Sequence, residues 1–164
     1  MSKGLHKWVR RSFLKLLRED GDVSSWAGTD ANGTVRVYSR PAPPRAVLTA
    51  TPESYRLAIV DWNLDAPRAK ETTDDVEIVT VVGQVLLVAV GDDADEAVED
   101  GYAAFEAALK PRGTVTLDNA EFTDGATCDV WMGGLVGPVP APDQERAPKF
   151  QGMFNFSVEA KPGT

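Results

Sequence analysis

The sequence predicts an α/β protein of the α+β kind, a mainly antiparallel or mixed sheet flanked by two helices, on three observations. Apolar residues from Leu5 to Leu17 recur at helical spacing, residues 76–90 (VEIVTVVGQVLLVAV) form an unbroken β-prone run, and residues 94–110 return to helical spacing behind an acidic cap. Such a switch between periods of 3.6 and 2.0 is what helices laid on a sheet require. The chain has 164 residues, 43% hydrophobic and 26% charged, which suits one domain over 1–164 with a real core.

The first helix is expected over about residues 3–19, because Leu5, Trp8, Val9, Phe13, Leu16 and Leu17 share one stripe and the basic residues take the opposite face. Gly21 is expected to stop it in a left-handed conformation. Residues 22–33 are polar and turn-rich, and Asn32-Gly33 leads into an alternating strand at 34–39. Pro41, Pro43 and Pro44 make 41–46 an extended connector, after which Tyr55–Trp62 reads as a strand. Residues 64–75 hold almost no large apolar side chain and are expected to form a mobile loop. The run 76–90 is expected to be one long strand with a bulge at Gly83.

Asp93 as N-cap with Glu96 three residues on opens a second helix over about 94–110. Val98, Tyr102, Phe105 and Leu109 form its buried stripe, with Gly101 letting the backbone approach a sheet closely, and Pro111 and Gly113 end it. Thr114–Leu117 alternates as a strand, and Asp124-Gly125 divides 120–123 from 126–132 as in a hairpin. The Gly- and Pro-rich segment 133–149 reads as an arm or long loop without regular structure. Residues 150–159 alternate cleanly and close the sheet.

Charge narrows the function classes. Against 17 Lys and Arg stand 25 Asp and Glu, a formal net charge of −8 that disfavours a sequence-specific nucleic-acid reader and an anionic membrane surface. No stretch is apolar enough for a membrane helix, and residues 1–20 lack a signal-peptide core, so the protein is expected to stay in the cytosol where it is made. Residues 1–18 carry six basic side chains (Lys3, Lys7, Arg10, Arg11, Lys15, Arg18) and no acid, leaving 11 basic against 25 acidic residues elsewhere, a formal −14. Two surfaces of opposite sign suit a protein that meets copies of itself or a partner.

Catalytic signals are weak. One Cys and one His exclude an internal disulfide and the usual Cys/His zinc cage. The acidic cluster Asp92, Asp93, Asp95, Glu96, Glu99 and Asp100 fits no calcium-loop spacing and is accounted for by helix capping and a solvated face. His6 sits among cations that disfavour its protonated form, and Cys128 lies in a strand as a small hydrophobe. Glycines match neither a phosphate loop nor a dinucleotide fingerprint. No catalytic, cofactor-binding or metal-binding residue is assigned, and no enzyme is expected. Trp26, Trp62 and Trp131 are core residues or interface anchors.

The order of these elements, carried by Leu5–Leu17, Tyr55–Trp62, the run 76–110 and FQGMFNFSVEA (150–160), resembles the tail terminator proteins of long-tailed bacteriophages, the family related to the minor tail protein U of lambda-like phages. The segment 133–149 departs from that pattern. The resemblance implies a tail-terminator-like fold and a virion protein forming a ring, a hexamer, at the head-proximal end of the tail. Such a ring ends tail-tube polymerisation, joins the tail to the head connector or stopper protein, and lets DNA pass without sequence-specific binding. Its partners would be copies of itself, the tail-tube protein and the connector, with no cofactor and no membrane. Lys7, Arg10, Arg11, Lys15, Arg68, Lys70, Asp74 and Asp75 are the candidate subunit-interface residues, and Asp95, Glu96, Glu99 and Asp100 a candidate acidic surface or lumen. The alternatives are another head-to-tail connector, a tail-tube subunit, a protein-binding adaptor unrelated to phages, or a carboxylate-dependent metal hydrolase resting on residues 92–100.

Overall fold

Val9, Phe13 and Leu17, four residues apart, are fully buried and define helix α1 (Leu5–Glu19) in the computed structural model, which describes residues 5–39, 41–63, 70–73, 76–109, 114–117 and 126–162. The expected stop at Gly21 is instead the start of a second helix, α2 (Gly21–Ala27), because the Asp20 carboxylate accepts the Val23 N–H at 3.0 Å and caps it. Val23, Trp26 and Ala27 at i, i+3 and i+4 bury its one face, a stripe too short to stand out in a polar segment.

The turn at Asn32-Gly33 is present, with Gly33 at φ +76°. The strand expected over 34–39 shrinks to β1 (Val37–Tyr38) and a bridge between Thr29 and Val35, since Pro41 cannot continue a ladder. The proline connector ends earlier than expected, in the single turn α3 (Arg45–Leu48). Strand β2 (Tyr55–Trp62) is as read.

Within the expected loop 64–75, Lys70–Thr73 forms β3 against the first residues of β4 (Val76–Val90), and 64–69 and 74–75 lie outside the described residues. β3 forms because β4 extends beyond the end of β2 and offers backbone that a Thr-containing segment can pair with. The bulge expected at Gly83 is absent. Its register is continuous on both sides, from Tyr55↔Val90 to Trp62↔Gly83 and from Val79↔Ala160 to Val90↔Lys149. Glycine serves for space: a Cβ there would lie 2.6 Å from the Asp61 carbonyl oxygen and 3.1 Å from the Phe156 ring.

Helix α4 (Ala94–Leu109) follows its predicted bounds and is succeeded by β5 (Thr114–Leu117) and β6 (Ala126–Met132). The turn predicted at Asp124-Gly125 lies outside the described residues. The segment expected to be irregular contains β7 (Val136–Pro140), which pairs with β8 (Lys149–Pro162) through an interrupted register. β8 supplies the long neighbouring edge, so pairing overrides the local Gly and Pro content.

Among the described residues, eight strands form one sheet along the path β1-β2-β4-β8-β6-β5, with β3 on β4 and β7 on β8, and only β1 pairs parallel. α1, α2 and α4 cover one face, α2 packing against both α1 and α4. Two aromatic groups join the layers. Phe13 stacks on Phe156 at 5.2 Å with Trp62 edge-on to both, while Phe105 and Tyr102 meet Phe154 edge-on. α3 and Ala147 cover one end of the opposite face, over Tyr55, Leu57, Val88 and Val90.

Gly101 has a different role from the one expected. A Cβ there would lie 2.6 Å from the Trp26 indole, so the close approach is to α2 and not to the sheet, and Trp26 Nε1 donates to the Ala97 carbonyl at 2.8 Å. Gly101→Ala should therefore destabilise the fold by about 1–3 kcal/mol through overpacking, despite alanine's better helix propensity. Urea denaturation checks this; a gain in stability would contradict the contact.

Candidate functional site

The basic face of α1 divides into three environments. Lys7, Arg10 and Arg11 line a groove of roughly 950 Å³ along the outer edge of β2, together with Leu14, Ile59, Leu86 and Met153. Lys15 lies away from it and faces Glu19 at 3.9 Å, so it is set apart from the other three candidate interface residues. Arg18 turns inward: its Nε donates to the Val37 carbonyl at 2.9 Å, and burial lowers its guanidinium pKa, partly offset by Tyr38 and Asp30. Of the other candidates, Lys70 falls on β3, and Arg68, Asp74 and Asp75 lie outside the described residues.

The acidic candidates Asp95, Glu96, Glu99 and Asp100 are all exposed on α4, which carries Glu106 as a fifth carboxylate and no basic residue. Asp93 precedes the helix; its carbonyl accepts the Ala97 N–H and its carboxylate faces Arg56 at 3.8 Å. Among the described residues no three His, Cys, Asp or Glu side chains converge on a point that could hold a metal ion. Since α2 lies between α1 and α4, the positive and negative surfaces stand on opposite sides of the helical layer. That separation is the main electrostatic feature of the fold.

Past the part covered by α3, the sheet face opposite the helices is open. Register places Ile59, Leu86, Met153 and Val136 side by side across β2, β4, β8 and β7, an apolar row that continues the groove floor. The next row, Asp61, Gln84 and Asn155, is polar. Trp131, Val136 and Val139 are 57%, 68% and 46% exposed, large values for such side chains in a stable domain. The three tryptophans thus differ: Trp26 is buried in the core, Trp62 is half-buried, packing against the core while lining the groove, and Trp131 is exposed. Cys128 is 1% exposed and belongs to the core, as read.

Two polar networks escaped the sequence reading. Asp30 accepts from the amides of Asn32 and Thr34 and from the Tyr38 hydroxyl at 2.8–3.0 Å. Burial pushes its carboxyl up, but the bond from Tyr38 and the two amides outweigh this and hold it below the usual range. Glu145 accepts from Arg45 and from the Tyr55 hydroxyl, with Lys149 3.6 Å away, fastening the segment after β7 to α3 and β2. Burial and then the bond to Glu145 push the Tyr55 hydroxyl up to about 12. Only the Asx pattern at Asp30-Ala31-Asn32-Gly33 could have signalled the first network; the second joins residues about a hundred positions apart.

No helix among the described residues is long and apolar enough to cross a membrane. Neither protein-family models nor curated proteins match the chain.

Proposed function

We propose that this chain is a structural subunit of a ring at the head-proximal end of a long phage tail, where it ends tube polymerisation and joins the tail to the head connector. The observation that carries this reading is the separation of basic α1 and acidic α4 to opposite sides of one helical layer. Heterologous contact between such sides links copies head to tail, and closure of that chain gives a ring. Opposite-sign surfaces also steer assembly and reject wrong orientations. The open sheet face also exposes Val136, at the end of the apolar row that continues the groove floor, and Trp131, beside Ser157 beyond the polar row, and these offer a further apolar surface for the tail-tube protein or the connector. A net charge of −8 keeps DNA sliding through without adhesion.

Adding the purified chain to polymerising tail-tube protein tests this. Tubes with growth halted and one end capped are expected in electron micrographs. Tubes of unchanged length without bound chain would remove the reading. Trp131→Asp should abolish capping by replacing an exposed apolar side chain of the open sheet face with a charge, while leaving folding intact because the side chain is exposed.

A further inference from the structure

The groove beside β2 accounts for how one copy could hold the next. Its rim carries three cations, Lys7, Arg10 and Arg11, and its floor is the apolar row Ile59, Leu86 and Met153. Among the described residues, Asp61 on the next row is the one carboxylate lining it beside these three cations. Each of the three cations holds an interaction within its own chain. β1 spans only two residues, and Ser39 and Pro41 after it border the same space as Val60, Asp61 and Trp62 of β2.

The exposed face of α4 has the matching chemistry. Glu96, Glu99, Asp100, Ala103, Glu106 and Ala107 are all exposed and recur at helical spacing, so carboxylates flank two alanines on one continuous face. Small alanine side chains allow a helix to lie close on an apolar floor while the carboxylates reach the cationic rim. Within one copy α2 separates α4 from α1, so this face cannot close on its own groove. A second copy can supply it.

We infer that the groove between α1 and the edge of β2 receives the acidic outer face of α4 from a second copy of this chain. The inference rests on the proposed head-to-tail association and names its interface. Both partners come from opposite sides of the subunit, which makes the contact heterologous, as a ring or an open chain requires.

Charge reversal on each side, followed by mixing, is the test, read by sedimentation velocity of the full chain. Arg10→Glu/Arg11→Glu and, separately, Glu99→Arg/Asp100→Arg should each weaken self-association by about tenfold or more. An equimolar mixture should restore it, because each reversed groove then meets a reversed helix and each native groove a native helix. Lys15→Glu, outside the groove, should have little effect, and Leu86→Asp in the floor should weaken association as the rim variants do. Circular dichroism melts establish that each variant folds. Association that is lost in both reversals but not restored by mixing would overturn the pairing. Sensitivity to the groove variants with indifference to the α4 variants would assign the groove to another occupant and overturn it as well. Assembly that ignores all these changes would sink this interface and remove the opposite-sign sides as support for the ring reading, leaving tube capping as its separate test, whereas a wild-type chain that stays monomeric at every concentration, alone and on tail tubes, would remove both.

Discussion

Phe156→Ala is expected to destabilise the fold by about 3–5 kcal/mol, the range for truncating a fully buried phenylalanine. The side chain is 1% exposed and joins three elements: it stacks on Phe13 of α1 at 5.2 Å, receives Trp62 of β2 edge-on at 5.1 Å, and fills the space that Gly83 of β4 leaves. Collapse around the void is restricted because the aromatic neighbours are held by separate layers. A domain of this size is stable by only about 5–15 kcal/mol, so the variant should unfold at markedly lower urea with an unchanged slope. A loss below about 1 kcal/mol would mean that α1 is not anchored to the sheet through this residue.

Asp30→Ala should cost about 2–4 kcal/mol, since it removes one carboxylate that three donors share and leaves the buried Tyr38 hydroxyl without its acceptor. Its folded pKa is depressed, so the stabilisation is fully present above the ordinary carboxylate value of about 3.9 and is lost as the pH falls through the lower folded value. In the alkaline range the sign reverses. Tyr38 and Tyr55 have raised hydroxyl pKa values, so their contribution holds below about 10 and is lost as pH rises through the folded values, about 12 for Tyr55. Melting curves from pH 2 to 11 on wild type and Asp30→Ala should show the acid-side difference shrinking below pH 4, at about the carboxylate range. A difference independent of pH would contradict an ionised acceptor.

Periodicity carried the long elements. α1, α4 and β8 each present a stripe or an alternation sustained over eight or more residues, β4 is an unbroken β-prone run and β2 a shorter apolar-rich one, and their positions follow from these patterns. α2, β3 and β7 did not emerge because their order comes from neighbours: three buried residues and a cap on Asp20 for α2, the overhang of β4 for β3, the edge of β8 for β7. The same distinction holds for the candidate site. The basic and acidic helices were visible as charge counts, but the groove was not, because its floor is assembled by register from Ile59, Leu86 and Met153 on three strands. Nor could residue counting separate Arg10 and Arg11, which line the groove, from Arg18, which turns to a backbone carbonyl.

Mass photometry of the purified chain across ionic strength, alone and on tail tubes, measures ring closure through opposite-sign sides most directly. At low salt one closed species of six copies is expected, and it should dissociate gradually as salt screens the exposed pairs, each worth only about 0.2–1 kcal/mol. A chain that remains monomeric with and without tubes, or that forms open polymers of indefinite length, would contradict it.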